Sequence, residues 1–204
     1  MAGMTQVVPP FTSGEDLTAK ARIRIAAMEL YAENGEDGTS MRAIAGAAGV
    51  TVGLLVHHFG TKERIGEAVE EQLVDYFAHA IARVPVAGTP AEFAAARDDV
   101  VTSMLAANPV IVNYLRRTIL DPTTPRGARL LQRLTELTRT EVAKARAAGV
   151  ASTTRTEAAQ VIGVMVRQLG QQFLQPMIDA MWEQLTEPDE LTTGKPQLEV
   201  RVHG

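Results

Sequence analysis

The segment from Met41 to Phe59 has the spacing of two short helices joined by a tight turn. Such helices touch at close range, which requires a small residue in the first helix, and Ala45 meets this requirement. The turn requires a residue that tolerates a positive φ, and Gly49 follows four residues later. Apolar residues fill the angle between the helices, and the suitable positions hold Ile44, Ala48, Val50 and Leu55. The pattern predicts a helix-turn-helix, whose second helix enters the major groove of DNA. An ordinary helical hairpin is the alternative.

The second helix of this pattern begins with side chains that suit contact with DNA bases. Helix-turn-helix proteins place the first turn of this helix at base edges, and the residues there are Thr51, Val52, Gly53 and Leu54. The Thr51 hydroxyl can bind a base or a phosphate, and Val52 and Leu54 can contact a thymine methyl group. Core packing is the alternative for Leu54. We expect His57 to point outward near a phosphate and His58 to pack under the first helix.

The elements that must position these side chains are helices. Strong helix formers dominate the chain between its two ends, and no paired alternating runs predict a β-hairpin. Glycine and proline breaks divide it into nine predicted helices at about 18–34, 40–47, 51–59, 61–84, 91–107, 110–120, 126–148, 155–174 and 177–185. Residues 1–16 and 187–204 are expected to be a flexible arm and a flexible tail. The predicted fold is all-α, with a three-helix DNA-binding domain over 17–66 and a larger helical bundle over 67–186.

Three stretches within residues 20–69 resemble the DNA-binding domain of TetR-family transcriptional regulators: RIRIAAMELYAENG, TSMRAIAGAAGV and GLLVHHFGTKE. The stretch from Gly53 to Lys62 is the most specific, and the rest of the chain is similar to the family only in size and helical character. The resemblance implies a homodimer in which each subunit carries one three-helix DNA-binding domain, here called the reader. The two readers bind successive major-groove faces of a palindromic operator in double-stranded DNA. It also implies that the larger domain binds a small-molecule effector, which changes the reader spacing and releases DNA, as in a repressor.

The resemblance implies phosphate contacts at the edges of the reader. It puts Lys62 on the phosphate backbone at the N-terminus of the fourth helix, where the helix dipole also favours an anion. The start of the second helix supplies further candidates, which are Thr39, Ser40 and Arg42. Two positions depart from the family, which commonly has an aromatic residue at each: Val56 and Glu36. We expect Val56 to remove one hydroxyl contact and Glu36 to weaken a hydrophobic staple.

Charge limits how strongly this reader can hold DNA. The chain has a formal net charge of −4, so it has no basic field as a whole. Between residues 18 and 66, six basic residues stand against five acidic ones. We therefore expect few phosphate contacts and a mild dependence of DNA affinity on salt.

The apolar pattern near the C-terminus predicts a dimer interface. Residues 158–174 are apolar around most of a helix, and a second apolar stripe runs from Met177 to Leu185. A helix that is apolar all round must be covered on both sides, and a second subunit would cover the outer side. A fully intramolecular core is the alternative. The expected interface residues are Ile162, Val166, Leu169, Phe173, Met177, Met181 and Trp182.

By the same resemblance, a ligand pocket lies among the helices of the larger domain. The residues expected to line it are Met104, Val112, Tyr114, Leu134, Met165 and Gln168. Gln168 is an amide in an apolar stretch, and a buried amide must hydrogen-bond to backbone, to a partner or to a ligand. The low aromatic content of 4% argues against a large flat cationic ligand, which aromatic walls would favour.

Several classes of protein are excluded by what the sequence lacks. It has no cysteine, which removes disulfides, thiolate metal sites and a cysteine nucleophile. It has no nucleophile elbow, P-loop, GxGxxG or HExxH, and its four histidines are too scattered for a metal site. We therefore expect no enzyme, no metal and no cofactor. No apolar run approaches the roughly 20 residues that cross a bilayer, and the start lacks a secretory signal, so we expect a cytoplasmic protein without membrane contact.

A second function stays open from the sequence alone. A helical adaptor that binds another protein, and that has lost specific DNA binding, would share the helical pattern. Val56, Glu36 and the acidic balance favour this alternative. A sequence preference for DNA would separate the regulator from the adaptor.

Overall fold

The computed structural model describes residues 18–185 and 195–200. Over these residues the protein forms eight α-helices and no strand. The helices are α1 (Ala19–Asn34), α2 (Met41–Ala47), α3 (Val52–Phe59), α4 (Lys62–Ile81), α5 (Pro90–Ala106), α6 (Pro109–Ile119), α7 (Pro125–Ala147) and α8 (Glu157–Leu185). The all-α prediction is confirmed. The predicted arm over 1–16, and most of the predicted tail, lie outside the described residues.

Hydroxyl side chains fix the starts of the first four helices. Thr18, Ser40, Thr51 and Thr61 precede α1 to α4, and the hydroxyl oxygen of each accepts a hydrogen bond from the amide three residues later. An N-cap of this kind satisfies one of the amide groups that a helix start leaves unpaired. At α5 the cap is reciprocal, because the Thr89 hydroxyl accepts from the Glu92 amide while the Glu92 carboxylate accepts from the Thr89 amide.

The chain divides into two compact units, which do not follow the predicted boundary at residue 66. The first comprises the described residues up to Arg83 together with Met104–Arg133. In it, α1 packs against α2, α3, α4 and α6. The unit holds the largest fully buried side chains, which are Ile23, Met28, Tyr31, Ile44, Leu55, Ile65, Leu73, Met104, Ile111, Tyr114, Leu115 and Leu130.

A buried carboxylate lies at the centre of polar contacts in the first unit. Glu70 of α4 is fully buried, and its two oxygens accept hydrogen bonds from Nε and Nη2 of Arg129 at 2.8 and 3.0 Å. Two further guanidiniums lie 3.6 Å and 3.9 Å away, those of Arg126 and Arg133. The hydrogen bonds that Arg129 donates to Glu70 raise the pKa of Arg129. Because a buried charge is costly unless it is paired, these contacts fix α4 against the first turns of α7.

The second unit comprises Val84–Ser103 and the described residues from Leu134 onward. A small apolar cluster holds α5 and α7 together here, formed by Val84, Phe93, Ala145 and Val150. Three ion pairs join its helices: Arg97 to Glu141 at 3.5 Å, Arg167 to Asp98 at 2.9 Å and Arg139 to Glu157 at 3.1 Å. This unit therefore combines a thin apolar core with charged groups between its helices.

Two differences from the predicted elements concern the C-terminal region. The sequence predicts a break at Pro176, but α8 continues through this residue from Glu157 to Leu185. Proline removes its own amide hydrogen bond from the helix, and the helix continues without that bond. The predicted loose tail includes six described residues, 195–200, which contact α8.

Across the described parts of the chain, no single helix is both long and apolar enough to cross a membrane. One pair of short helices, α2 and α3, reaches that apolar length together, and the pair is bent by 106°.

Candidate nucleic-acid interface

A tight turn sets the angle of 106° between α2 and α3. Gly49 adopts a φ of 63°, a left-handed conformation that costs other residues free energy. The chain then reverses, so that the Val50 amide donates to the Ala45 carbonyl at 3.0 Å. Ala45, Ile44 and Leu55 are buried in the angle. The predicted helix-turn-helix geometry is present.

One face of α3 is buried and the other is exposed. Leu55 and Phe59 point into the first unit and anchor the helix there. Val52, Leu54 and Val56 remain 40%, 38% and 46% exposed, which is unusual for aliphatic side chains on one short helix. Leu54 is therefore not a core residue, and α3 presents an outward aliphatic surface.

The polar groups of α3 are few. Thr51 is the N-cap, and its hydroxyl oxygen accepts from the Leu54 amide at 3.2 Å, so its hydrogen and one lone pair remain for another partner. Gly53 is exposed, and a Cβ there would be in ordinary contact with Thr51 Oγ1 at 3.9 Å. His57 and His58 are both exposed, with ring centroids 5.5 Å apart. The prediction that His58 packs under α1 is wrong, because Leu55 and Phe59 already fill the inward face.

The start of α2 provides fewer phosphate contacts than predicted. Ser40 caps α2 and is exposed, and Arg42 is exposed beside it. Thr39 is only 3% exposed, and its hydroxyl donates to the Gly35 and Leu30 carbonyls. The structure therefore contradicts a phosphate contact from the Thr39 side chain, whose role is to close the loop after α1.

Lys62 has an internal role that the sequence did not indicate. Its ammonium group donates to the Glu36 carbonyl at 3.0 Å and to the Thr39 carbonyl at 3.2 Å. One N–H remains for an anion. The Glu36 carboxylate pairs with Arg126 within the same unit, so the departure at Glu36 replaces an apolar staple by an ion pair.

Another basic side chain supports the turn from the back. Arg22 of α1 donates from Nε to the Ala48 carbonyl, at the C-terminal end of α2, at 3.1 Å. A cation at a helix C-terminus is stabilised by the unpaired carbonyls there. The sequence alone does not indicate this contact, because the partner of Arg22 lies 26 positions away.

The second unit contains a cavity of about 500 Å³. Its wall is mostly apolar, with Phe93, Val142, Val150 and Val164 among the lining residues. The charged groups of the wall are Arg97, Asp98, Arg155 and Arg167. Burial lowers the pKa of Arg97, against the opposite effect of the Glu141 carboxylate, so the wall holds a cation at a cost in solvation.

The predicted pocket residues do not come together around this cavity. Gln168 lies in its wall and donates to Asp98 at 3.2 Å. Leu134 and Met165 belong to the same unit but not to this wall. Met104, Val112 and Tyr114 belong to the first unit, where Met104 and Tyr114 are core side chains.

The predicted interface residues lie along α8, and four are exposed in the single chain. Ile162, Val166, Met177 and Met181 are 51%, 42%, 58% and 49% exposed. Leu169, Phe173 and Trp182 are half-buried. An apolar face of this size on a helix is larger than a solvated surface usually carries.

Comparison with known proteins agrees with the geometry of the first unit. Residues 23–69 match the family described as bacterial regulatory proteins, tetR family. These residues include the turn at Gly49 and the outward surface of α3, so the chain carries a helix-turn-helix DNA-binding domain. The match covers residues 23–69, so the likeness to the tetR family concerns this part of the chain.

Two curated relatives come from Mycobacterium tuberculosis (strain ATCC 25618 / H37Rv). The HTH-type transcriptional regulatory protein RaaS is 52% identical over 56 residues, which are 28% of this chain and 26% of that protein. The HTH-type transcriptional repressor Rv3405c is 45% identical over 53 residues, 26% of this chain and 28% of that protein. The alignments thus span about a quarter of these relatives.

A solved structure extends the likeness to most of the fold. The transcriptional regulator FadR from Bacillus subtilis, in complex with stearoyl-CoA, has a TM-score of 0.60. The match covers 78% of this chain and 88% of that chain at 18% sequence identity. At this identity the likeness concerns the fold alone.

The turn makes a pair of opposite predictions for two glycines of this region. Neither Gly46 nor Gly49 has a neighbouring atom that an added Cβ would meet, but only Gly49 has a positive φ. Gly49→Ala should lower the free energy of unfolding by about 1–2 kcal/mol because of backbone strain. Gly46→Ala, inside α2, should raise it by about 0.5 kcal/mol. Urea denaturation checks both, and changes of the same sign would contradict this account of the turn.

Proposed function

We propose that this chain is a transcriptional regulator: a repressor that binds a palindromic operator in double-stranded DNA as a homodimer and is released by a small molecule. The outward surface of α3 carries this proposal, because it presents aliphatic and polar side chains that the fold itself does not use. The family match and the regulator RaaS support it, and the repressor Rv3405c supports the sign of regulation. In this proposal the protein acts in the cytoplasm, where a bacterial regulator meets its operator DNA.

In this proposal the two parts of the reader have separate roles. Thr51, Val52, Gly53 and Leu54 meet base edges, as the first turn of a recognition helix does. Ser40, Arg42, His57 and the remaining N–H of Lys62 meet the phosphate backbone. Few cations contribute to phosphate binding, because the Lys62 ammonium already donates to two carbonyls. Sequence preference should therefore depend on α3, and salt dependence should be small.

Selection of random duplex DNA on the purified protein tests the DNA part. We expect one palindromic motif, and Val52→Ala should change the preferred bases within it, because aliphatic contacts read thymine methyl groups. Arg42→Ala should weaken all sites alike and lower the salt slope by about one. Arg139→Ala, remote in sequence and in the second unit, serves as control. Recovery of no motif from folded protein would contradict the proposal.

Dimerisation through α8 is supported by the exposed stripe along this helix. Ile162, Val166, Met177 and Met181 are spaced by 4, 11 and 4 residues, and each spacing is made up of helical steps of three and four, so they share a face. A second copy of the same helix would remove this face from water in a two-fold interface. The half-buried Leu169, Phe173 and Trp182 would extend the contact.

Two lysine substitutions on α8 separate this interface from the rest of the helix. Met177→Lys puts a charge on the apolar face and should shift the protein to monomer. Glu183→Lys adds a lysine at an exposed position away from that face and should leave the dimer intact. Sedimentation velocity measures both. A dimer that survives Met177→Lys would put the interface elsewhere.

The cavity of the second unit is the proposed effector site, in place of the pocket residues expected from the sequence. Three arginines stand in its wall against Asp98 and the adjacent Glu141, which pair with Arg167 and Arg97. One positive charge is left in excess, which favours an anionic group. The rest of the wall is apolar, and its volume is in the range of small-molecule sites. We infer an amphiphilic effector with one anionic end. The stearoyl-CoA complex of Bacillus subtilis FadR supports this class of ligand.

Ligands that differ only in their charged end test this assignment. Octanoate should raise the melting temperature, because a ligand that binds the folded state stabilises it, and octanol and octylamine should raise it less or not at all. Arg97→Gln should abolish the effect of octanoate, whereas Arg139→Gln, an exposed arginine of the same unit, should retain it. An equal response to all three compounds would contradict an anion-selective wall.

A further inference from the structure

The described end of the chain has the pattern of an extended segment packed on one side. In the C-terminal arm, Lys195–Val200, the residues Leu198 and Val200 are half-buried while Gln197 and Glu199 are exposed. This alternation is the period of an extended chain, in which successive side chains point to opposite sides. The arm therefore has an inner face, and the helix that it contacts is α8.

Gln175 of α8 binds the backbone of the arm on both sides of Gln197. The Gln175 side chain donates from Nε2 to the Pro196 carbonyl at 3.0 Å. Its Oε1 accepts from the Leu198 amide at 2.7 Å. A side-chain amide carries a donor and an acceptor side by side, so it can pair with an extended chain as a neighbouring strand would. These two bonds fix the register of the arm.

An ion pair and a second bond hold the same region. Asp179, one turn after Gln175, accepts from the Gln175 amide at 2.9 Å and pairs with Lys195 at 3.0 Å. The hydrogen bonds from Gln175 and Lys195 lower the pKa of Asp179. The start of the arm is thus attached to α8 through three polar groups.

The end of the arm occupies a gap that only glycine leaves open. A Cβ on Gly170 would lie 3.0 Å from Cγ2 of Val200, closer than side chains normally approach. Gly170 is four residues from Val166 and four from Leu174, so all three share one face of α8. Val166 and Leu174 are exposed. Val200 therefore sits within the stripe that the second copy would cover.

We propose that the C-terminal arm competes with a second copy of the chain for the face of α8 around Gly170. This inference rests on the proposed dimerisation through α8. Two occupants cannot both contact Gly170, so the arm must leave before that part of the helix can pack against its partner. The arm thereby weakens dimerisation and, through it, operator binding by paired readers.

The size of the effect follows from the docked fraction. When only a fraction of the chains is competent to bind, affinity falls by that fraction for each partner. Both copies of a dimer must be competent, so the apparent dissociation constant rises by the inverse square of the fraction. An arm that is docked in about two chains of three therefore weakens the dimer about tenfold. Removing its contacts should recover this factor.

Full-length variants of the arm test the competition. Leu198→Ser combined with Val200→Ser removes the inner apolar face, and the dimer dissociation constant from sedimentation equilibrium should fall about tenfold. Gln197→Ser, at the exposed neighbouring position, should leave it unchanged. A wild-type dimer with the same constant as the double variant, or a tighter one, overturns the competition. If both proteins stay monomeric at every concentration, dimerisation itself is overturned and the competition with it.

Hydrogen exchange measures the docking of the arm without reference to dimerisation. The Leu198 amide should be protected in the wild-type monomer, because it donates to Gln175, and Gln175→Ala should abolish this protection. The Gln197 amide provides the comparison within the same segment. A Leu198 amide that exchanges as fast in the wild type as in Gln175→Ala overturns the proposal.

Discussion

The left-handed backbone of Gly49 is the constraint on which the reader depends. It lets α3 leave α2 at 106°, and both Ile44 of α2 and Leu55 of α3 are buried in the core. Once this inward contact is fixed, the opposite side of an eight-residue helix must face away from the protein. The turn at Gly49 therefore determines that the aliphatic side chains of α3 are exposed, although none of these side chains lies in the turn. Charge has a smaller part, since the cations nearby are few and Lys62 is engaged with carbonyls.

Local signals made much of the first unit predictable. The hydroxyl caps, the glycine stops and the close contact at Ala45 each act within a few residues, so the sequence carries them directly. The positions that differed depend on partners far along the chain. Thr39 is buried because carbonyls of α1 and of the following loop converge on its hydroxyl. Lys62 binds carbonyls more than 20 residues away, and a pattern of residue types contains no record of such contacts.

The second unit was harder to predict for a related reason. Helical periodicity identifies an apolar face but not the element that covers it. α5 and α7 each contribute residues to both units, so Met104 and Leu134 had the same appearance in the sequence and ended in different cores. In the sequence, the arginines of the cavity wall cannot be distinguished from surface charges. Arg97 and Asp98, for example, are adjacent charged residues in a helix with no other distinguishing pattern. Pro176 predicted a break because the cost of a proline was visible and the packing around α8 was not.

The N-cap bond of Thr51 divides the recognition helix into positions of unequal freedom. The hydroxyl that starts α3 cannot be exchanged without loosening the helix, and Leu55 and Phe59 cannot be exchanged without opening the core. Val52, Leu54, Val56 and His57 have no such obligations to the fold. A gene duplicate could therefore change these four side chains, and with them the base preference proposed for α3, at little cost to the fold. The same partition gives an engineer a small, well-defined set of positions for redirecting the reader to chosen DNA.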